Sequence, residues 1–246
     1  MNEMVINWQK VLIIAKKELR FFFFSPIAYI FVCIFLALMG VVFFFFPFYN
    51  FFMINQVEMR IFFEILPPVL SIIIPLVTMA LFSEEFSVGS YEILNTLAVT
   101  TFDITLGKFI AATAFIASAL IPTLIYPVSL MLLGDLSIMP VIGGYIGSVF
   151  LIGALTSIGI LTSAITKNQI IAFITAFAAC LTISFLIQLA MPVIPGIVSP
   201  LFDYLSAFSH FSNIARGILD WRDILYFLSI IVIALYSTKL VLDNRK

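Results

Sequence analysis

His210 is the only histidine in the chain, and that fact alone removes most familiar chemistry. A zinc site of the H-E-x-x-H type needs two histidines. A serine hydrolase needs a second catalytic partner and a G-x-S-x-G elbow, and the sequence carries neither. The nearest approach to a nucleotide-binding loop, Gly107-Lys108-Phe109, lacks the upstream glycine and the hydroxyl residue that a phosphate loop requires. Cys33 and Cys180 fall inside apolar blocks and read as small buried hydrophobes, not as a disulfide or a metal pair. His210 has no ligand set around it and reads as structural or interfacial. No residue is assigned a catalytic, cofactor-binding or metal-binding role, so the chain is not read as an enzyme. A net charge of −1 gives no electrostatic case for nucleic acid.

The charges that remain gather in two places. One is the stretch Ser83 to Leu97, with Glu84, Glu85 and Glu92 among Gly89, Ser90, Tyr91, Leu94 and Leu97. Gly89-Ser90 predicts a helix start with Ser90 as its cap, Glu92 in the first turn, and Ile93, Leu94 and Leu97 on one apolar side. A short capped helix of this kind is a knob for a partner's groove, or simply a compact loop. A second start is predicted at Thr101, with Asp103 early in its first turn and Lys108 opening the next apolar block. The other gathering lies in 201–223. There Leu201, Leu205, Phe208, Ala215 and Ile218 are expected on one face, with His210, Arg216, Asp220, Arg222 and Asp223 nearby. Arg216 and Asp220 are spaced to pair on a helix. Alternatively Asp220 caps the helix that follows, with Asp223 at its third position.

The elements that position these residues follow from composition. The chain has 246 residues, 63% of them hydrophobic and 10% charged, with mean hydropathy +1.21. Six blocks, at about 26–48, 63–83, 107–133, 141–165, 169–191 and 223–242, are each long enough to cross a bilayer. The expected fold is an all-α polytopic membrane domain of six transmembrane helices, too lean outside them for a soluble catalytic module. No cleavable signal peptide is apparent. With both termini in the cytoplasm, nine of the twelve Lys and Arg residues fall on the inner side and three on the outer, which is the orientation the positive-inside rule favours.

Residues 7–21 read as a basic amphipathic helix in the inner interface, with Trp8, Leu12, Ala15, Leu19 and Phe22 on its apolar face and Lys10, Lys17 and Glu18 projecting elsewhere. The plainer reading is a basic flank of the first span. Pro67, Pro68 and Pro75 predict a kinked or broken second span, for gating or for structure alone. Gly143 and Gly147 form a small-xxx-small pair that implies close packing without naming a partner. Gln188, near the outer end of its span, reads as a residue that hydrogen-bonds across helices or lines a polar path, packing being the favoured role. The spans hold no paired acidic residues at their centres, Glu64 being the nearest candidate, so active transport would need energy from a partner.

Three segments carry a resemblance to a known family. They are Lys16-Lys17-Glu18-Leu19-Arg20 with Phe23 and Ser25-Pro26-Ile27-Ala28-Tyr29; Glu84-Glu85, Gly89-Ser90, Glu92, Leu94 and Thr96, ending in Gly107-Lys108-Phe109; and Leu205-Ser206, His210-Phe211, Arg216-Gly217, Asp220, Arg222-Asp223 and Tyr226-Phe227-Leu228-Ser229. In these the chain resembles the type-2 class of ABC transporter permeases, most closely the gliding-motility permease subfamily. It departs from the family at Ala98, where members commonly carry proline.

The resemblance implies an elbow helix in residues 1–24, including Lys16, Lys17, Glu18 and Arg20, followed by a permease domain over 25–246. It implies a coupling region in 83–107 that docks on a separate ATP-hydrolysing subunit, with Glu84 and Glu85 as the charged contacts and Lys108 or a basic residue of that subunit as their counterpart. The subunit would carry the ATP and Mg that this chain does not bind. A re-entrant segment over 192–222 would form the outer gate. A second permease, identical or paralogous, would complete the complex in a bacterial plasma membrane, and export is the expected direction. The rival reading is a membrane scaffold or assembly factor, for example of a motility complex, that moves no cargo. A self-sufficient channel or carrier is the third.

Overall fold

Ser25-Pro26 makes the first architectural decision. The residue before a proline is forced out of the helical region, and Ser25 is extended at φ −81°, ψ 131°. Helix α1 (Trp8–Phe24) therefore ends there, and α2 (Pro26–Phe45) begins with proline at its first position, where a missing N–H costs nothing. The two helices meet at 71°. A computed structural model of the chain describes residues 7–45, 58–91, 99–132, 134–191, 196, 199–218 and 220–245, and the side chains of 27, 28, 45 and 199 are not included.

The described residues are helical throughout, with no strand. After α2 come α3 (Arg60–Thr78), α4 (Ala80–Val88), α5 (Thr101–Ser118), α6 (Ile125–Met131) and α7 (Ile138–Ile165). Next are α8 (Gln169–Leu181), a π-helical turn (Thr182–Leu186) and α9 (Ile187–Ala190). The short helices α10 (Ser199–Leu205) and α11 (Ala207–Ala215) precede α12 (Trp221–Asp243). Five of these stretches are long and apolar enough to cross a membrane, and the bent α1–α2 pair supplies a possible sixth.

The second span is longer than the sequence suggests. Its helical path runs from Arg60 to Val88 and is stopped by Gly89, whose left-handed φ of 77° is a conformation glycine adopts without a Cβ penalty. Ser83–Val88 is thus helix, not loop. Ser90 and Tyr91 are already helical and Gly89 marks the boundary, so Ser90 is not the predicted cap. Pro67, Pro68 and Pro75 all lie inside α3, which continues past them. The interruption comes instead at Met79, between α3 and α4. Ser163 of α7 fills it. Its hydroxyl donates to the Met79 carbonyl at 2.8 Å and accepts from the Phe82 and Ser83 amides at 3.1 and 3.2 Å.

Helix α7 is the hub, packing against α3, α5, α8, α11 and α12. Its glycines decide who approaches. A Cβ on Gly144 would lie 2.2 Å from the Phe63 ring and one on Gly159 would lie 2.1 Å from Thr78 Oγ1, so these two admit α3. Gly143 and Gly147 admit α11, through the Ile214 carbonyl and the Ile214 and Phe211 side chains. The small-xxx-small pair therefore has an identified partner. Around this hub Phe31, Phe35, Met39 and Phe43 form the one buried stripe of α2, at helical spacing, and join the main apolar core. Cys180 is buried as expected, whereas Cys33 is exposed on the outer face of α2.

Candidate functional site

Asp103, Lys108 and Asp243 stand at one end of the bundle, and each is built in by local rules. Thr100 caps α5 by accepting from the Asp103 amide at 3.1 Å, while the Asp103 carboxylate accepts from the Thr100 amide at 3.3 Å. The helix starts at Thr101, as predicted, with Thr100 as its cap. The other oxygen of Asp103 accepts from the Asn7 amide at 3.2 Å, which ties the start of α1 to the start of α5. Thr101 donates to Asp243 at 2.5 Å, and Arg245 donates to the Ile165 carbonyl and lies 4.6 Å over the Phe86 ring. The first and last described segments of the chain thus converge on the same end.

Lys108 is the centre of that end. It is 2% exposed, and its ammonium donates to the Leu81 carbonyl at 2.8 Å and to Glu85 Oε1 at 2.7 Å. Glu18 Oε1 lies 3.5 Å away, and the Phe82 ring 5.1 Å. One cation therefore faces two carboxylates drawn from α1 and α4, with α5 supplying the cation. The close seat of α1 depends on Gly107, where a Cβ would come within 2.7 Å of Ile14 and 3.1 Å of the Val11 carbonyl.

This geometry corrects several expectations. The face of α1 turned to the bundle is Val11, Ala15 and Glu18, while Trp8 and Leu12 of the stripe expected at the membrane interface are exposed. Glu18 does not project away; Lys108 draws it inward. Lys16, Lys17 and Arg20 are exposed, as an interfacial basic face requires. Of the two counterparts expected for Glu84 and Glu85, Lys108 engages Glu85 within the chain, whereas Glu84 is exposed. Tyr91 is 4% exposed and packs edge-on to Phe86 at 4.9 Å, so it is an anchor and not a presented side chain. Glu92, Leu94 and Leu97 lie outside the described residues.

The opposite end holds the second candidate cluster. Asp220 caps α12 by accepting from the Arg222 amide at 3.0 Å, and Asp223 occupies the third position. Capping, not pairing with Arg216, is therefore the role of Asp220. Asp223 is 3% exposed, and its Oδ1 lies 2.6 Å from His210 Nδ1. The Tyr204 carbonyl lies 3.0 Å from His210 Nε2, and the Tyr226 ring stacks on the imidazole at 4.1 Å. The buried face of α11 is Ala207, His210, Phe211 and Ile214. Leu201, Leu205 and Ile218 are exposed. The Ser209 hydroxyl lies 3.2 Å from Gln188 Oε1 and 2.5 Å from Asp203 Oδ1, which gives Gln188 its expected interhelical bond.

Between α3, α7 and α11 at this end is a cleft of about 830 Å³. Phe63 and Phe211 are among its apolar lining residues, and Arg60, Glu64 and Arg216 supply charge. Arg60 and Glu64 pair at 2.8 Å on the first turns of α3. Arg222 is exposed away from the His210–Asp223 contact.

Sequence reasoning missed Ser163, because a serine inside an apolar helix has no distinguishing neighbours. It also missed the seam where Ser71 meets Ser184, mid-bundle, at the π-helical turn. Among the described residues no three of His, Cys, Asp and Glu gather as a metal site would require. No protein-family model matches the chain, and no curated protein is significantly similar to it.

Proposed function

We propose that the chain is the transmembrane permease subunit of an ABC transporter. It would work with a separate ATPase subunit that binds ATP and Mg, and with a second permease, identical or paralogous. The observation that carries this reading is the Lys108 junction. Movement imposed on the segment after Gly89 has a rigid path into α1, α4 and α5 through one buried cation and its acceptors. Such a path is what conversion of a partner's ATP-driven closure into helix movement requires. Glu84, exposed one residue before Glu85, is the docking carboxylate in this reading, while Glu85 holds the transmission together. The membrane is the bacterial plasma membrane, both termini are cytoplasmic, and export is the proposed direction.

The test is affinity purification of the intact chain from native membranes, with an ATPase assay on what co-purifies. A stoichiometric nucleotide-binding subunit whose association is lost on Glu84→Lys, with membrane insertion intact, supports the reading. Recovery of a complex without such a subunit overturns it in favour of a scaffold.

A further inference from the structure

We infer that His210 and Asp223 hold one proton between them, and that this proton latches α11 as the movable wall of the cleft. The argument is a count of donors. The Tyr204 carbonyl can only accept, so the Nε2 atom 3.0 Å from it carries hydrogen. In a neutral imidazole that leaves Nδ1 with a bare lone pair. Asp223 Oδ1 is 2.6 Å from Nδ1, too close for two lone pairs to face each other. A proton therefore lies between them, as imidazolium with carboxylate or as imidazole with carboxylic acid. Both forms hold one proton more than neutral histidine beside ionised aspartate.

The surroundings isolate this proton. His210 is 7% exposed and Asp223 3%. From α10, Tyr204 faces the imidazole edge-on at 5.5 Å, and Asp203 is engaged by Ser209. From α12, Tyr226 covers the ring, and its hydroxyl donates to the Leu205 carbonyl at 2.6 Å. Helix α7 has no charged residue, and its Tyr145 hydroxyl is hydrogen-bonded to Thr123. On α3, Glu64 is paired with Arg60. The π-helical turn carries no ionisable side chain, and α9 offers Gln188 alone. Arg216, on α11 itself, is exposed at the cleft. Asp223 Oδ2 is buried without a hydrogen-bond partner, so the histidine side is the countercharge of this carboxylate among the described residues.

The latch acts on the cleft because Phe208, Phe211, Ser212, Ala215 and Arg216 of α11 line it. Loss of the proton sets a lone pair against a buried carboxylate and breaks the tie between α11 and α12. The His210–Asp223 contact thus holds the α11 wall of the cleft against α12. The inference needs neither an ATPase nor a cargo, and it stands or falls separately from the permease reading.

Because the histidine is unique, nitrogen NMR of wild-type protein labelled with ¹⁵N-histidine reads His210 without assignment. The expected spectrum at neutral pH has Nε2 protonated and the Nδ1 proton shifted far downfield. A bare Nε2 overturns the inference. The second measurement is thiol labelling of Ala207→Cys, a position 1% exposed on α11, in a Cys33→Ser background. Labelling, normalised to an unfolded control, is expected to rise roughly tenfold or more when Asp223→Ala removes the partner of Nδ1, the factor implied by losing one charge-assisted hydrogen bond. In Asp223→Asn the amide can donate to neutral Nδ1, so that rise is lost. A labelling rate in Asp223→Ala equal to that of the parent also overturns the latch.

Discussion

Removing the Lys108 ammonium, as in Lys108→Met, strands two carboxylates in the interior. Glu85 loses a bond of 2.7 Å and Glu18 a partner at 3.5 Å, while the Leu81 carbonyl loses its 2.8 Å donor. Breaking a buried pair from one side costs about 3–5 kcal/mol, most of it from the charge left behind. The side chains of Glu18 and Glu85 keep 11% and 16% exposure, so water relieves part of that cost and the lower end applies. The expected loss is about 3 kcal/mol, more than a hundredfold in the folding equilibrium. Reversible detergent-induced unfolding of the purified protein measures it. The control is Lys17→Met, whose side chain is 68% exposed and whose contact with Glu18 spans 3.5 Å; it should shift stability by no more than about 0.5 kcal/mol. The decisive variant is Lys108→Met with Glu85→Gln. If the cost is a stranded charge, neutralising Glu85 recovers stability despite removing a second native group. A single Lys108→Met variant within about 1 kcal/mol of wild type would refute the reasoning, as would a double variant that is merely the sum of two losses.

Gly143→Ala drives a Cβ to within 2.3 Å of the Ile214 carbonyl, a backbone atom that cannot swing aside. It should cost about 1–3 kcal/mol and lift α11, read as unfolding and as faster labelling in the cleft. Gly89→Ala meets nothing within 4 Å and should cost only the left-handed backbone penalty of about 1 kcal/mol. Thr100→Ala removes the cap of α5 at a cost of about 1 kcal/mol. The Asp103 carboxylate keeps its bonds to the amides of residue 100 and Asn7 in this variant, so exchange should rise at the Asp103 amide, which loses its acceptor, and not at Asn7.

The long apolar elements were legible because a membrane span writes itself in composition, and the predicted blocks match the helical stretches to within a few residues at most ends. The Asp220 cap was legible because a capping residue acts on neighbours two or three positions away. What was not legible was which face of α1 and α11 turns to the bundle. Both carry enough apolar residues for several amphipathic faces, and the choice among them is made by a charge elsewhere. Glu18 turns inward because Lys108, 90 residues later, waits there. His210 turns inward because Asp223 begins the next long helix. The span-two break was misplaced for a related reason. Proline marks where a helix can bend, but the interruption at Met79 is stabilised by Ser163, and no local pattern connects the two.

These failures share a cause that says what holds the bundle together. Between helices in lipid there is no hydrophobic driving force, since acyl chains are as apolar as leucine, and association relies on close backbone approach and on polar contacts. Phenylalanine, 28 residues of this chain, fills space but cannot by itself choose one neighbour over another. The choice falls to the glycines of α7, which admit α3 at two points and α11 at two others. It falls as well to a handful of buried polar groups: Ser163 at the Met79 break, Ser71 against Ser184 at the π-helical turn, Lys108 at one end and His210 at the other. The glycine contacts are steric and insensitive to solution conditions. The two terminal nodes depend on charge, and each joins a short helix to the long ones. A stimulus that changes charge at either end therefore acts first on the contacts that hold α1 or α11, before it reaches the glycine-packed centre.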